Sequence, residues 1–325
     1  MNAPDRAAWL AARKSGIGGS DIAAILGLSP YKSAVDIWMD KTGRSADVEA
    51  GEAAYWGNVL EDIVAKEYAH RRDYKVQRIN VMARHPKHTW MIGNIDRAVV
   101  AEGSRARLSD DGGRLLGAQG VLECKTASAY KAGEWGREDD DDAVPTAYAA
   151  QCYWYMGVTG MDWCDIAVLI GGQRYLDKRI ERDDEVINGM IERAEEFWRH
   201  HVLGDIAPEP ASARDAMLLY PRDAGSQISV TNELAEKLAK LRDLKAQIKP
   251  LDDEADALAD DIKTYIGEHS ALVDVDGRPL ATWKAPKPSQ KTDWQAVAKA
   301  AGVSAEIIAA HTATTQAARR LLLKD

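Results

Sequence analysis

Residues 121–126 read Val-Leu-Glu-Cys-Lys-Thr, apolar enough to lie in a core yet carrying an acid and an ammonium. As a strand, this stretch sends Val121, Glu123 and Lys125 to one face and Leu122, Cys124 and Thr126 to the other. Just upstream, residues 91–100 read Met-Ile-Gly-Asn-Ile-Asp-Arg-Ala-Val-Val, a second strand with one acid, Asp96. Two carboxylates and a lysine on adjacent strands make a seat for a hard divalent cation and an activated water. A Glu123–Lys125 salt bridge at a strand edge is the alternative that these residues alone leave open.

The elements around this pair alternate between helix and strand. Residues 4–14 read as a short helix containing Trp9, Leu10, Arg13 and Lys14. A glycine-rich turn, Ser15-Gly16-Ile17-Gly18-Gly19, leads into a second helix that Ser20 or Asp21 can cap and Gly27 can end. Glycines permit close backbone approach, and a helix start beside Arg13 suits a phosphate, although a plain turn fits equally. Residues 35–39 continue into a third short helix. Residues 53–72 read as a longer one, with Val59, Leu60, Ile63, Val64 and Tyr68 as its apolar stripe and Glu61 beside it.

Residues 75–84 are a strand candidate, and His85-Pro86-Lys87-His88 is a surface turn rather than a metal site. Residues 102–120 read as an extended hairpin arm. Glu138 to Asp142 form an acidic run suited to a solvated loop. Pro145 opens a helix on which Tyr148, Gln151 and Tyr155 share a face. Residues 163–170 and 173–180 read as strands joined through Gly171-Gly172, and residues 183–202 as a long amphipathic helix.

Length and texture suggest an exposed linker and a second module. The chain has 325 residues, more than one core usually serves. The expected divisions are 1–210 for the main domain, 211–226 for a proline-bearing linker, 227–270 for a helical hairpin or short coiled coil broken or kinked at Pro250, and 271–325 for a β-hairpin with a helical tail. Asp276-Gly277 marks the hairpin turn. The net charge of −9 means that nucleic acid would be drawn only to a local basic channel. No apolar run is long enough to span a bilayer, and the chain is expected in the cytoplasm. Three cysteines read as buried free thiols and are too few for an all-cysteine iron–sulfur cluster, so none is expected.

The ordered set Glu61, Asp96, Glu123-Cys124-Lys125 and Gln151 resembles the phage exonuclease fold of YqaJ-type viral recombinases and lambda exonuclease. The likeness extends over residues 5–205. Arg13 with Gly18-Gly19-Ser20-Asp21-Ile22-Ala23-Ala24-Ile25-Leu26-Gly27 is similar to the family's opening motif. Gly57-Asn58-Val59-Leu60-Glu61 is similar to its G-x-x-x-E helix, Gly93-Asn94-Ile95-Asp96 to its strand aspartate, and Gln151-Cys152-Tyr153-Trp154-Tyr155 to its Q-x-x-x-Y helix.

The resemblance implies an α/β, restriction-endonuclease-like core: a mixed central sheet flanked by helices, followed by the helical hairpin and β-hairpin extension. It implies a Mg²⁺-dependent (or Mn²⁺-dependent) exonuclease with two ions, digesting one strand of linear double-stranded DNA from 5′ to 3′. Glu61, Asp96, Glu123 and Lys125 would then be catalytic. Asp96, Glu123, Glu61 and the Cys124 carbonyl would hold metal, and Arg13, Ser20, Gln151 and Tyr155 would contact DNA phosphates. A toroidal trimer or tetramer, a single-strand annealing partner and a bacterial host cytoplasm for a phage-encoded chain are likewise implied. A structure-specific or internally cutting endonuclease of the same fold, and a non-catalytic DNA-binding scaffold, stay open as alternatives.

Overall fold

The computed structural model describes residues 11–45, 51–137, 140, 143–313, 317 and 319–323. The chain divides into two compact units, the first ending at Tyr220 and the second beginning at Pro221.

In the first unit, residues 11–14 are helical, while Trp9, Leu10 and the rest of the helix expected there lie outside the described residues. Helices α1 (Gly19–Ile25), α2 (Ala34–Lys41) and α3 (Glu52–Arg72) follow. The cap of α1 differs from expectation: Gly18 is the N-cap, and its N–H donates to Asp21 at 2.9 Å. Gly27, with φ at +71°, lets the chain turn away after α1.

Strands β1 (Lys75–Arg78), β2 (Ala83–Arg84), β3 (Ile92–Gly93) and β4 (Arg97–Val100) come next. The two long strands expected over residues 75–84 and 91–100 are therefore each broken in two. The break follows from pairing: β2 joins β3 in a separate ribbon, whereas β1 and β4 join each other in the main sheet. Asp96 sits in the bend where the chain changes partners, not within a strand. The arm expected over residues 102–120 is present as the two-stranded ribbon β5 (Arg107–Leu108) and β6 (Leu115–Leu116).

Strand β7 (Gly120–Ala127) lies at the middle of the five-stranded sheet, whose order is β1-β4-β7-β8-β9. It is antiparallel to β4 and parallel to β8 (Trp163–Ile170), and β9 (Arg174–Glu181) closes the sheet antiparallel to β8. Parallel neighbours need a crossover, and α4 (Thr146–Thr159) supplies it. Pro145 is the N-cap of this helix rather than its first residue. Gly171 and Gly172, at φ +60° and +73°, make the tight β8–β9 turn that other residues would resist. Most of the acidic run, Glu138, Asp139, Asp141 and Asp142, lies outside the described residues.

The alternation read in residues 121–126 partitions two cores. Val121 packs with α1, α4 and α5 (Asp184–Glu196) residues such as Ile22, Trp154 and Ile187, while Leu122 and Cys124 pack with Val64, Ala65 and Tyr68 of α3. The mixed α/β architecture expected from the sequence is thus present. All three cysteines are free and buried.

Beyond α5 and a π-helical turn (Phe197–Leu203), the stretch read as a linker contains α6 (Ala213–Leu219). This helix docks on α2, with Ser33 donating to Asp215 at 2.7 Å and Arg214 gripping Asp36 through both nitrogens.

Of the two forms expected for residues 227–270, the second unit does not show the helical hairpin, and a single helix leaves the coiled coil open. Residues 232–266 form one continuous helix, α7 (Asn232–Ile266), with Pro250 inside it. A proline deletes one N–H and strains one turn, but a long helix can pass it when its other bonds hold. Strands β10 (Ala271–Val273) and β11 (Pro279–Thr282) form the expected hairpin, with Gly277 at φ +81° in its turn. Helices α8 (Trp294–Ala300) and α9 (Ala305–Ala310) follow, α8 capped by Asp293.

Candidate active site

Register brings the two central acids level. The last β4–β7 pair is Arg97 with Leu122, so one further step sets Asp96 opposite Glu123. Asp96 Oδ2 also accepts the Cys124 N–H at 2.9 Å, which fixes the bend against the strand. Glu123 is 2% exposed. Its Oε1 accepts from Gln151 Nε2 at 2.6 Å and pairs with the Lys125 ammonium. The same Gln151 nitrogen lies 2.9 Å from the Tyr155 hydroxyl. Helix α4 can make these contacts because the crossover lays it on the face of β7 that carries Glu123 and Lys125.

These groups line a cleft of about 530 Å³, together with Arg13, Ser20, Asn58, Glu61, Asn94 and Cys124. All the residues read from the sequence as catalytic, metal-holding or phosphate-contacting therefore border one depression. They do not all converge. Glu61 arrives from the α3 side of the sheet, and Arg97 takes its carboxylate at 2.5 Å. Among the described residues, no three His, Cys, Asp or Glu side chains form a ready ligand set. Arg97, 3% exposed, went unnoticed in the sequence. Its signal was an arginine in an otherwise apolar strand, on the face opposite Asp96.

The electrostatics at the centre are strained. Burial and the neighbouring Glu123 push the Asp96 carboxyl well above the ordinary carboxylate range. Burial alone would lower the Lys125 ammonium, but Glu123 and Asp96 outweigh it and raise the group above its usual value. Glu123 Oε2 is buried and has no hydrogen-bond partner. An orphaned carboxylate oxygen beside a second acid is the donor set that a hard cation requires.

Two further residues support the site. Tyr148, on the α4 face noted in the sequence, sets its ring 5.1 Å from the Lys125 ammonium and stacks on Trp135. Lys41, buried under α1, bonds Asp21 at 2.6 Å and the Arg13 carbonyl at 2.9 Å. It thereby ties the segment carrying Arg13 to the helix carrying Ser20. Arg13 in turn reaches Ser20 Oγ at 3.3 Å. The paired histidines do form a turn: His85 Nδ1 accepts from the backbone N–H of Lys87 and of His88.

The glycine-rich turn has a steric reason. A Cβ on Gly19 would stand 2.6 Å from the Tyr155 ring and 3.0 Å from Gln151 Cγ. Gly19→Ala is expected to displace both side chains and lower activity about 10- to 100-fold, since ångström-scale misplacement costs on that order. Turnover assays beside thermal melts check it. A melt that collapses as far as activity does would make the effect one of folding.

The sequence profile of the YqaJ-like viral recombinase domain matches residues 8–162. The chain belongs to that family. It is 36% identical over 293 residues to the uncharacterized protein YqaJ of Bacillus subtilis (strain 168), covering 88% of this chain and 85% of that protein. An uncharacterized protein of Acanthamoeba polyphaga mimivirus is 27% identical over 157 residues, 48% of this chain and 27% of that protein. Among solved structures, the alkaline exonuclease LHK-Exo of Laribacter hongkongensis aligns with TM-score 0.44 at 17% identity, over 61% of this chain and 92% of that one. A phage-related exonuclease of Haemophilus somnus 129PT aligns with TM-score 0.45 at 14% identity, over 58% and 95%. No helix of the described residues is long and apolar enough to cross a membrane.

Proposed function

We propose that this chain is a Mg²⁺-dependent DNA exonuclease that degrades one strand of linear duplex from its 5′ end. The products would be 3′ single strands for an annealing protein to pair. The observation that carries the reading is the Asp96–Glu123 pair, with its orphaned Oε2 beside Lys125, at the base of an open cleft. Membership of a viral recombinase family supports DNA as the substrate.

Asp96 and Glu123 would hold the cation, with the Cys124 carbonyl next to them in the chain. The cation would supply charge neutralisation at the phosphodiester and a more acidic water. Glu61 is clamped by Arg97, so a second ion would require that pair to open. With a cation at Glu123, the Lys125 ammonium would be held less firmly and could release its proton to solvent, leaving a neutral amine that would accept one from the attacking water, while the Tyr148 ring keeps it in place. Gln151 and Tyr155 orient Glu123 and face the scissile phosphate. A homo-oligomeric ring would reconcile an acidic chain with DNA by enclosing it in a basic lumen.

Digestion of linear duplex labelled at either end, with Mg²⁺ or with chelator, tests the reading. The expected result is metal-dependent loss of the 5′ label first, with covalently closed circles left intact. Cut circles would make it an endonuclease, and binding without cleavage a scaffold. Arg13→Ala is expected to remove a preference for 5′-phosphorylated ends of about tenfold, as loss of one charge-assisted bond does. Equal loss on phosphorylated and dephosphorylated ends would show that Arg13 does not read the phosphate.

A further inference from the structure

Helix α7 carries a second pattern that the catalytic cleft does not use. Its apolar residues alternate by three and four: Leu241, Leu244, Ile248, Leu251, Ala255 and Leu258, extended by Leu234 before them and Ile262 and Tyr265 after. That is the a/d seam of a coiled coil, unbroken from Leu241 to Tyr265 within the helix Asn232–Ile266, with Lys237 at the d position before it. Among the described residues most of the seam is left open: Leu244 is 45% exposed, Leu251 63% and Tyr265 80%. Pro250 falls at a c position, outside the seam, so it does not interrupt the stripe.

Charge says what fits there. Residues 232–249 carry five Lys or Arg against three Asp or Glu, whereas residues 250–266 carry six Asp or Glu against one Lys. Each end of the helix is therefore the electrostatic complement of the other. In a parallel pair, the flanking Lys240 of one copy would face Lys245 of the next, a like-charge contact. Reversing one copy places Lys240 near Asp261 or Glu254, and Lys245 near Asp252. The same reversal puts Leu234 level with Tyr265, Leu241 with Leu258, Leu244 with Ala255 and Ile248 with Leu251. The twofold axis then falls between Lys249 and Pro250, the central layers from 241 to 258 are apolar on both sides, and only Ile262 meets a charged residue, Lys237.

We propose that α7 is a self-association element: two copies of this chain pair through it as an antiparallel coiled coil. Steps by this route join catalytic units in twos, whatever assembly the units make themselves.

Sedimentation of the full-length chain and of Leu251→Glu provides the first test. Leu251 is exposed, so the substitution leaves the fold of one copy unharmed, and it should halve the assembled mass. An unchanged mass overturns the proposal. Direction is tested by cross-linking Leu234→Cys and Tyr265→Cys chains, the native cysteines being buried. These positions lie about 46 Å apart along one helix, too far to bridge within a copy. Oxidation of the mixture should give linked dimers, while each variant alone should not. Linkage of either variant to itself would mean a parallel pair and overturn the antiparallel arrangement.

Discussion

Lys125→Ala is expected to lower cleavage of linear duplex by roughly 10³-fold or more, the scale of losing a general base together with the charge beside it. The reason lies in what surrounds the ammonium. Glu123 holds it through an ion pair, and the Tyr148 ring supports it from the side. No other amine is placed against Glu123 among the described contacts, so nothing substitutes for it. Affinity for DNA should change little, because Arg13 and Ser20, proposed to hold phosphate, line another part of the cleft. Single-turnover digestion beside a filter-binding titration separates the two quantities. Cleavage within tenfold of the parent would remove Lys125 from the chemistry.

Asp96→Asn should move stability and activity in opposite directions. The Asp96 carboxyl titrates well above its ordinary 3.8 because burial and Glu123 oppose its charge. Between those two values the folded chain binds more protons than the unfolded one. By linkage, the contribution of this group to stability then falls as pH rises, and is restored as pH falls through the raised value. In chelator, the parent should therefore lose melting temperature as pH climbs from 4 towards neutrality. Asparagine has no proton to lose and should flatten that slope, while its oxygen can still accept the Cys124 N–H. Added Mg²⁺ should raise the melting temperature of the parent, since a ligand that binds only the folded state stabilises it. The variant should show neither that rise nor cleavage. A variant that melts higher with Mg²⁺ by as much as the parent would place the cation away from Asp96.

Much of this arrangement was legible because it is local. The two-residue alternation of 121–126 told which side chains share a face, and the three- and four-residue spacing of Tyr148, Gln151 and Tyr155 did the same for α4. Motif order put Arg13, Ser20 and the acids in one cleft. What stayed hidden depends on partners distant in the chain. The bend at Asp96 exists because β3 and β4 pair with different strands, and no window around Asp96 contains that information. The hold of Arg97 on Glu61 joins residues 36 apart, through a guanidinium that reads locally as strand punctuation. Pro250 misled in the other direction. A proline signals a break, yet the seam on either side of it keeps its phase.

The central position of β7 has a consequence for how freely the protein can vary. A slip of one residue would exchange Glu123 for Cys124 and turn the acid toward α3. Ladders on both flanks, to β4 and β8, forbid that shift. The border strands β1 and β9 carry no such duty. Drift in sequence, insertions and new contacts can accumulate along those margins while the reactive groups stay in phase.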